Sequence, residues 1–395
     1  MSRNYLYSVT DKALSDALNQ SQISNNELRD LFLTRGVLIS KKTDRKELAK
    51  NFSKYIHDYY DHQKIANSLG TIPRKEKISS SFVTSKVSFD ILENAAEALK
   101  SKIINEQDLC HIVHTADDTL VIDITYETTC YAKSDFKQIV QKNAVIEIEK
   151  HEDNYVIRKP ANDNVKEYEE HFLNFVNKEL VELKENDELD GCDEELFVEE
   201  ISLLNVVDKS LRTKFFTRLV SSFNGYVLDD VTDVFVYKPK IEDQFSDEDE
   251  DEDDKEESSV VCHITKVSLK GEGVLISDEL DALSKKDFYI CKIRWRIKED
   301  LPDPDIFEFE AQFSNAADFT GFSFIPKGAI RYKGKGEHQK SKKSLTEDEE
   351  RKFNKIIEQS ARNIMSDILK EAQGDNGNDS SKDKVVQVKD EILTK

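Results

Sequence analysis

FYICKIRWRIKE (288–299) and, after a short acidic break containing two prolines, DIFEFEAQFS (305–314) decide how the larger part of this chain is read. Apolar and charged residues alternate in both stretches, the period of a strand with one buried face. Ile293, Trp295 and Ile297 fall on one face of the first strand; Lys292, Arg294 and Arg296 fall on the other. In the second strand Phe307, Phe309 and Phe313 belong with the apolar face, and Glu308 and Glu310 with the charged one. Pairing the two strands sets basic residues opposite acids, so ion pairs are expected across the ladder above an aromatic core.

The pattern extends outward from this pair. DKSLRTKFFTRLVSSF (208–223) has helical spacing, with Leu211, Phe215, Phe216, Leu219 and Phe223 on one side. FVEEISLLNV (197–206), GYVLDDVTDVFVYKP (225–239), VVCHITKVSL (260–269) and FTGFSFIPKGAIRYKG (319–334) read as strands, and SDELDALSKK (277–286) as a short helix. A C-terminal helix over 347–372 carries Phe353, Ile356, Ile357, Ala361, Ile364, Met365 and Leu369 on one stripe. The tract 246–257 holds ten acids and one Lys, so self-repulsion predicts a solvated loop over 244–258. Residues 195–372 thus form one expected α+β unit, followed by a disordered tail over 373–395.

A second α+β unit is expected over 91–190. A helix near 90–101 precedes DDTLVIDITYETT, where Leu120, Ile122 and Ile124 alternate with more polar neighbours. NAVIEIEKHEDNYVIRKP reads as a hairpin about His151–Asn154. A long amphipathic helix follows over about 162–184, with Val165, Tyr168, Phe172, Phe175, Val176 and Val181 at helical spacing. The polar, Ser-rich stretch 67–90 reads as a linker. The fold class expected is α+β: a small N-terminal helical module over 1–66, then mixed, mainly antiparallel sheet units with amphipathic helices.

The chain has 395 residues and a net charge of −22. Residues 1–90 hold 15 Lys and Arg against 10 Asp and Glu, a surplus of five positive charges. The remainder therefore carries an excess of 27 negative charges, the character of a surface that docks another protein. Five cysteines, widely spaced and without C-x-x-C, fit a reducing compartment and neither a disulfide framework nor a zinc ribbon. No apolar run approaches the ~20 residues of a membrane span, and the first 20 residues have no continuous apolar segment of signal-peptide type. A cytoplasmic location without membrane contact is expected.

The basic surplus gathers on residues 24–56. Ser24 with Glu27 makes a capping box, Gly36 ends the helix that it starts, Val37–Ile39 is extended, and Thr43 or Asp44 caps a second helix. The first helix presents Leu28, Leu31, Phe32 and Leu33; the second presents Leu48, Phe52 and Ile56. This stretch, NELRDLFLTRGVLISKKTDRKELAKNF, resembles the SAP motif, a helix–extension–helix module associated with DNA binding. Leu28, Phe32 and Gly36 stand at the motif's two apolar positions and its glycine. Thr43, Arg45 and Leu48 match its T-x-K-x-x-L run, and Phe52 its next apolar position. The loop is about one residue longer than the motif's and lacks its glycine. The resemblance implies that Arg35, Lys41, Lys42, Arg45, Lys46 and Lys50 line one basic edge. Such an edge neutralises phosphates and releases counterions, and the second helix's N-terminus offers N–H groups to an oxygen.

Other chemistries have less behind them. Cys110, His111 and His114 need a fourth ligand from Asp117, Asp118 or Cys130, and on a strand the two histidines leave on opposite faces. Asp229, Asp230, Asp233 and Lys238, or Glu308 and Glu310, are the nearest approach to a metal-dependent nuclease, without a (D/E)-x-K arrangement. No phosphate loop, dinucleotide fingerprint, nucleophile elbow or H-E-x-x-H occurs, so no cofactor and no catalytic residue is called for. The basic run Arg331–Lys343 either assists nucleic-acid contact or connects elements. The reading is a non-enzymatic, nucleic-acid-associated accessory protein contacting DNA. Its Lys-, Asn- and Ile-rich composition suggests a bacterial DNA-processing or antiviral genome-defence complex. An adaptor without nucleic-acid contact is the alternative, and an unrecognised nuclease the third.

Overall fold

The computed structural model describes residues 10–69, 75–106, 108–115, 119–133, 135–151, 154–186, 191–193, 195–239 and 264–375. The expected acidic loop and the chain beyond residue 375 lie outside these residues. The fold is α+β, with mainly antiparallel sheet and packed helices. Two compact units form: Met1–Lys77 with Ser81–Glu199, and Ile78–Ser80 with Glu200–Lys395.

The first unit begins with four short helices: α1 (Asp11–Leu18), α2 (Asn25–Leu33), α3 (Arg45–Phe52) and α4 (Tyr59–Ser68). Each starts at a side chain that accepts an otherwise orphaned N–H: Thr10, Ser24, Asp44 and Asp58. The capping box of Ser24 and Glu27 is present, and Asp58 with Asp61 makes another. Leu14, Leu18, Leu28, Phe32, Leu48 and Phe52 form the centre of the shared core. Phe32 and Phe52 meet edge to face at 5.0 Å. Two expected core positions are corrected. α3 stops at Phe52, so Ile56 lies beyond the helix in solvent, and Leu33, on the far side of α2, is exposed too.

After β1 (Ile78–Val83), helix α5 (Phe89–Asn105) leads into β2 (Leu109–Thr115), β3 (Thr119–Thr129), β4 (Ile139–His151) and β5 (Asn154–Pro160). Helix α6 (Asp163–Glu185) and the short β6 (Val198–Glu200) complete the unit. Spatial order is β2-β3-β4-β5-β1, with β6 paired to β1. Leu120, Ile122 and Ile124 are buried as the alternation requires, against Ile91, Leu99, Phe172 and Val176 from α5 and α6. Val181, expected on the α6 stripe, is exposed. Phe136, from the β3–β4 connection, enters the core of the helical module.

The stretch expected to be a linker contains β1, where buried serines stand in place of the apolar residues that mark a strand. Ser80, Ser81 and Ser85 are buried. Ser85 Oγ donates to the Glu195 carbonyl at 2.9 Å and accepts from Phe197 N–H. Ser81 Oγ donates to Glu169 at 2.8 Å, and Lys159 pairs with the same carboxylate. Hydrogen bonding to distant residues replaces the apolar pattern here.

The second unit orders its strands β11-β10-β9-β7-β8: β7 (Tyr226–Tyr237), β8 (Lys266–Lys270), β9 (Tyr289–Glu299), β10 (Ile306–Asn315) and β11 (Thr320–Ile330). Ile78, which belongs to this unit, pairs with Phe324. Arg296 stands opposite Glu308 and Arg294 opposite Glu310, the pairing that alternation predicts. Helices α7 (Lys209–Val220), the short α8 (Asp278–Ser284) and α9 (Glu347–Asp375) accompany the sheet. α7 supplies Phe215 and Phe216 to rings including Phe313 and Phe319, and α9 supplies Phe353, 4.7 Å from Phe307 and 5.0 Å from Phe309. The run 197–206 is strand only at Val198–Glu200, and the expected tail begins later, since α9 continues to Asp375. Among the described residues no helix is long and apolar enough to cross a membrane.

The buried Lys159–Glu169 pair gives a direct test of the first unit. Lys159→Met strands the carboxylate and is expected to cost about 3–5 kcal/mol in urea unfolding. Adding Glu169→Leu removes the stranded charge and should recover most of that loss. A single variant costing under about 1 kcal/mol, or a double variant no better than the single, would contradict this account.

Candidate nucleic-acid interface

The helix–extension–helix stretch is built from its ends. α2 closes on Gly36, whose φ of +74° lets its own N–H bond the Leu33 carbonyl and the Val37 N–H bond the Phe32 carbonyl. Val37 and Ile39 then turn partly into the module core, while Leu38 faces solvent. Asp44 caps α3 by accepting from Lys46 N–H at 3.1 Å. That cap corrects one expectation. The N-terminus of α3 is occupied by a carboxylate, so it is not open to a phosphate oxygen.

The six expected contact residues divide by type. Arg35 pairs with Asp61, lies 5.5 Å and 5.8 Å from the Phe52 and Tyr55 rings, and sits 3.4 Å from His57 Nδ1. Arg45 donates to the Leu18 carbonyl at 3.0 Å, to the Gln20 carbonyl and to Asn25 Oδ1 at 3.1 Å. Neither arginine lines the outer edge, and both placements are corrected. The physical reason is the guanidinium fork, which satisfies several acceptors at once, including carbonyls left over at the end of α1. Arg29 works similarly, donating to the Lys41 carbonyl at 2.8 Å, and sequence reasoning missed it. Lys41, Lys42, Lys46 and Lys50 are exposed, and none has a side-chain partner among the described residues. Lys46 and Lys50 stand four apart on α3 and therefore share a face.

Nearby titrations reflect local structure. The backbone N–H and then the hydroxyl of Ser24 hold the Glu27 carboxyl below its ordinary value. Burial, followed by neighbouring His57, lowers His62.

The remaining candidates are occupied. Burial pushes the Cys110 thiol up to about 11, and His114 faces Glu93 at 3.0 Å. Cys130 is exposed, while Asp117 and Asp118 lie outside the described residues. Of the carboxylates weighed for a nuclease, Asp229 lies 3.6 Å from Lys298, Asp230 accepts from Gly273 N–H at 2.9 Å, and Asp233 binds Arg294 at 2.7 Å. Lys238 donates to the Lys286 carbonyl at 2.9 Å. Burial works against the charge of Arg294, but its bond to Glu310 and the charges of Asp233, Glu310 and Glu308 outweigh that and raise its pKa. Among the described residues no group of three His, Cys, Asp or Glu side chains could hold a metal ion. In the basic run, Arg331 is fixed by Asp305 at 2.8 Å and by both oxygens of Glu349 at 2.6 Å. The bond from Arg331, helped by the N–H and hydroxyl of Thr346, holds the Glu349 carboxyl down to about 2 against the effect of burial.

No protein-family model matches the chain, and no curated protein matches its sequence. The division between arginine and lysine is testable on the chain itself. Arg45→Ala should destabilise the first unit by about 2 kcal/mol, because carbonyls lose their donor. Lys46→Ala should stay within about 0.5 kcal/mol. Equal melting temperatures for the two variants would refute the bracing role.

Proposed function

We propose that this chain is a non-enzymatic, nucleic-acid-associated accessory protein that holds DNA by its phosphate backbone through Lys41, Lys42, Lys46 and Lys50. The observation that carries this reading is their shared state: four neighbouring lysines, exposed and unpaired among the described residues, on a hairpin whose arginines are used internally. Lysine is a point charge without a fork, which suits sequence-independent contact that positions rather than reads a duplex. The SAP-like pattern of residues 24–56 points to the same ligand. A protein partner through the acidic body, within a bacterial DNA-processing or genome-defence complex, belongs to the same proposal and rests on composition.

One observation favours the adaptor as a second reading. Leu38, Ile56 and Tyr60 of the same module are 86%, 91% and 79% exposed, which suits docking against protein.

Fluorescence anisotropy with a short labelled duplex separates the two. Four phosphate contacts predict at least about a 100-fold loss of affinity between roughly 50 and 200 mM salt. Replacing Lys41, Lys42, Lys46 and Lys50 with Gln should weaken binding and flatten that dependence. Wild-type protein that retains neither DNA nor RNA at low salt would leave the adaptor reading standing.

A further inference from the structure

The charged face of the second unit's sheet has an unequal depth profile. Asp233, Glu308 and Glu310 keep only 4–11% of their side chains exposed. The cations around them, Lys292, Arg294, Arg296, Lys327 and Lys342, keep 25–34%. Lys292, Arg294 and Lys327 all converge on Glu310, at 2.9, 3.0 and 3.0 Å. Lys342 reaches Glu308 at 3.0 Å. With Lys298 the face carries six cations and five acids, since Asp230 stands opposite Arg296 and Asp229 beside Lys298; Asp233, Glu308 and Glu310 form the floor and the amines and guanidinia most of the rim. The shallower groups on this face are mostly cations, with Asp229 the acid exposed to a similar degree.

The rim is a built feature. Gly328 faces Glu308 across the ladder, and a Cβ there would come within 2.4 Å of the Lys343 carbonyl and 2.9 Å of the Lys342 stem. The missing side chain opens the slot through which Lys342 crosses the strand to its carboxylate. Two rim donors are also left over. Arg296 comes no closer than 4.0 Å to Glu308 and makes no hydrogen bond among the described residues. Lys298 stands 3.6 Å from Asp229, beyond hydrogen-bond reach. A guanidinium and an ammonium offer about eight donors between them.

We propose that this face is a second polyanion-binding surface, on which Arg296 and Lys298 bind the phosphates of a nucleic-acid strand. Lys292, Arg294, Arg296 and Lys298 are alternate residues of β9, about 6.6 Å apart, so they form a straight row of like charge roughly 20 Å long. A phosphodiester backbone is a matching row of opposite charge. The arginine fork fits phosphate oxygens in pairs. The surface rests on the nucleic-acid reading for its ligand but not on the N-terminal lysines.

The test uses the full chain and a short fluorescein-labelled duplex, with affinity followed against salt. Arg296→Gln with Lys298→Gln should lower affinity at least about fivefold and reduce the salt slope by roughly 1.8, the share of two phosphates. Arg296→Lys keeps the charge and should keep the slope, and melting curves check that each variant folds. A sheet variant that binds with wild-type affinity and slope overturns this inference, whatever the N-terminal lysines do. If the N-terminal Lys→Gln variant binds like wild type while the sheet variant is weakened, the module reading fails and this one stands. No retention by wild type at low salt overturns both.

Discussion

The pleat of β9 forces Lys292, Arg294, Arg296 and Lys298 to leave the strand on the face opposite Ile293, Trp295 and Ile297. Successive side chains must alternate, so neither set can be placed without placing the other. Ile293, Trp295 and Ile297 are fully buried, roughly 1.5–3 kcal/mol for each of the two isoleucines. A slip of one residue would turn Trp295 to water and drive two guanidinia toward rings such as Phe223 and Phe309, which unpaired charge does not tolerate. The register is therefore set by the core, and the charged face is its consequence. Glu308 and Glu310 follow from β10 in the same way, one per cation-bearing row.

Arginine and lysine do different work in both units. In the helical module Arg29, Arg35 and Arg45 bridge carbonyls, a carboxylate and ring faces, tying α1, α2 and α3 together. In the sheet Arg294 spans Asp233 and Glu310. The guanidinium has several directed donors and a weakly hydrated plane, so it can be partly buried when its terminal N–H groups find acceptors, as they do here while the Nε atoms of Arg29, Arg35 and Arg294 find none among the described residues. The ammonium is compact and strongly hydrated, and the lysines of the module stay in solvent. Counting basic residues overstates an interface for this reason, since only those with idle donors remain available to a ligand.

Much of the fold was legible because its determinants are local. Alternation in 288–299 and 305–314 fixes a face and a pairing, the Ser24–Glu27 box starts α2, and Gly36 stops it. What was not legible depends on partners far along the chain. β1 reads as linker because Ser81 bonds Glu169 and its neighbour Ser85 bonds Glu195, about 90 to 110 positions away. Arg45 reads as a free cation because its acceptors lie at Leu18 and Gln20, and Arg35 because Asp61 begins an unforeseen α4. The ion pairs on β9 and β10 were visible in the pattern, but not that the acids would sit deeper than the cations. Depth follows from side-chain length and from Gly328 opening a path for Lys342, and neither shows in a one-dimensional alternation.

In the proposed function, positive charge left idle by the fold meets a nucleic-acid backbone. Lysine acetylation of the full chain, read by mass spectrometry with and without excess duplex at low salt, tests it most directly. Lys41, Lys42, Lys46 and Lys50 should react freely alone, the half-buried Lys298 more slowly, and all five should be shielded when DNA is present, while Lys159, buried against Glu169, stays unreactive in both. Unchanged reactivity at all five of these lysines, with DNA in excess, would overturn the proposal.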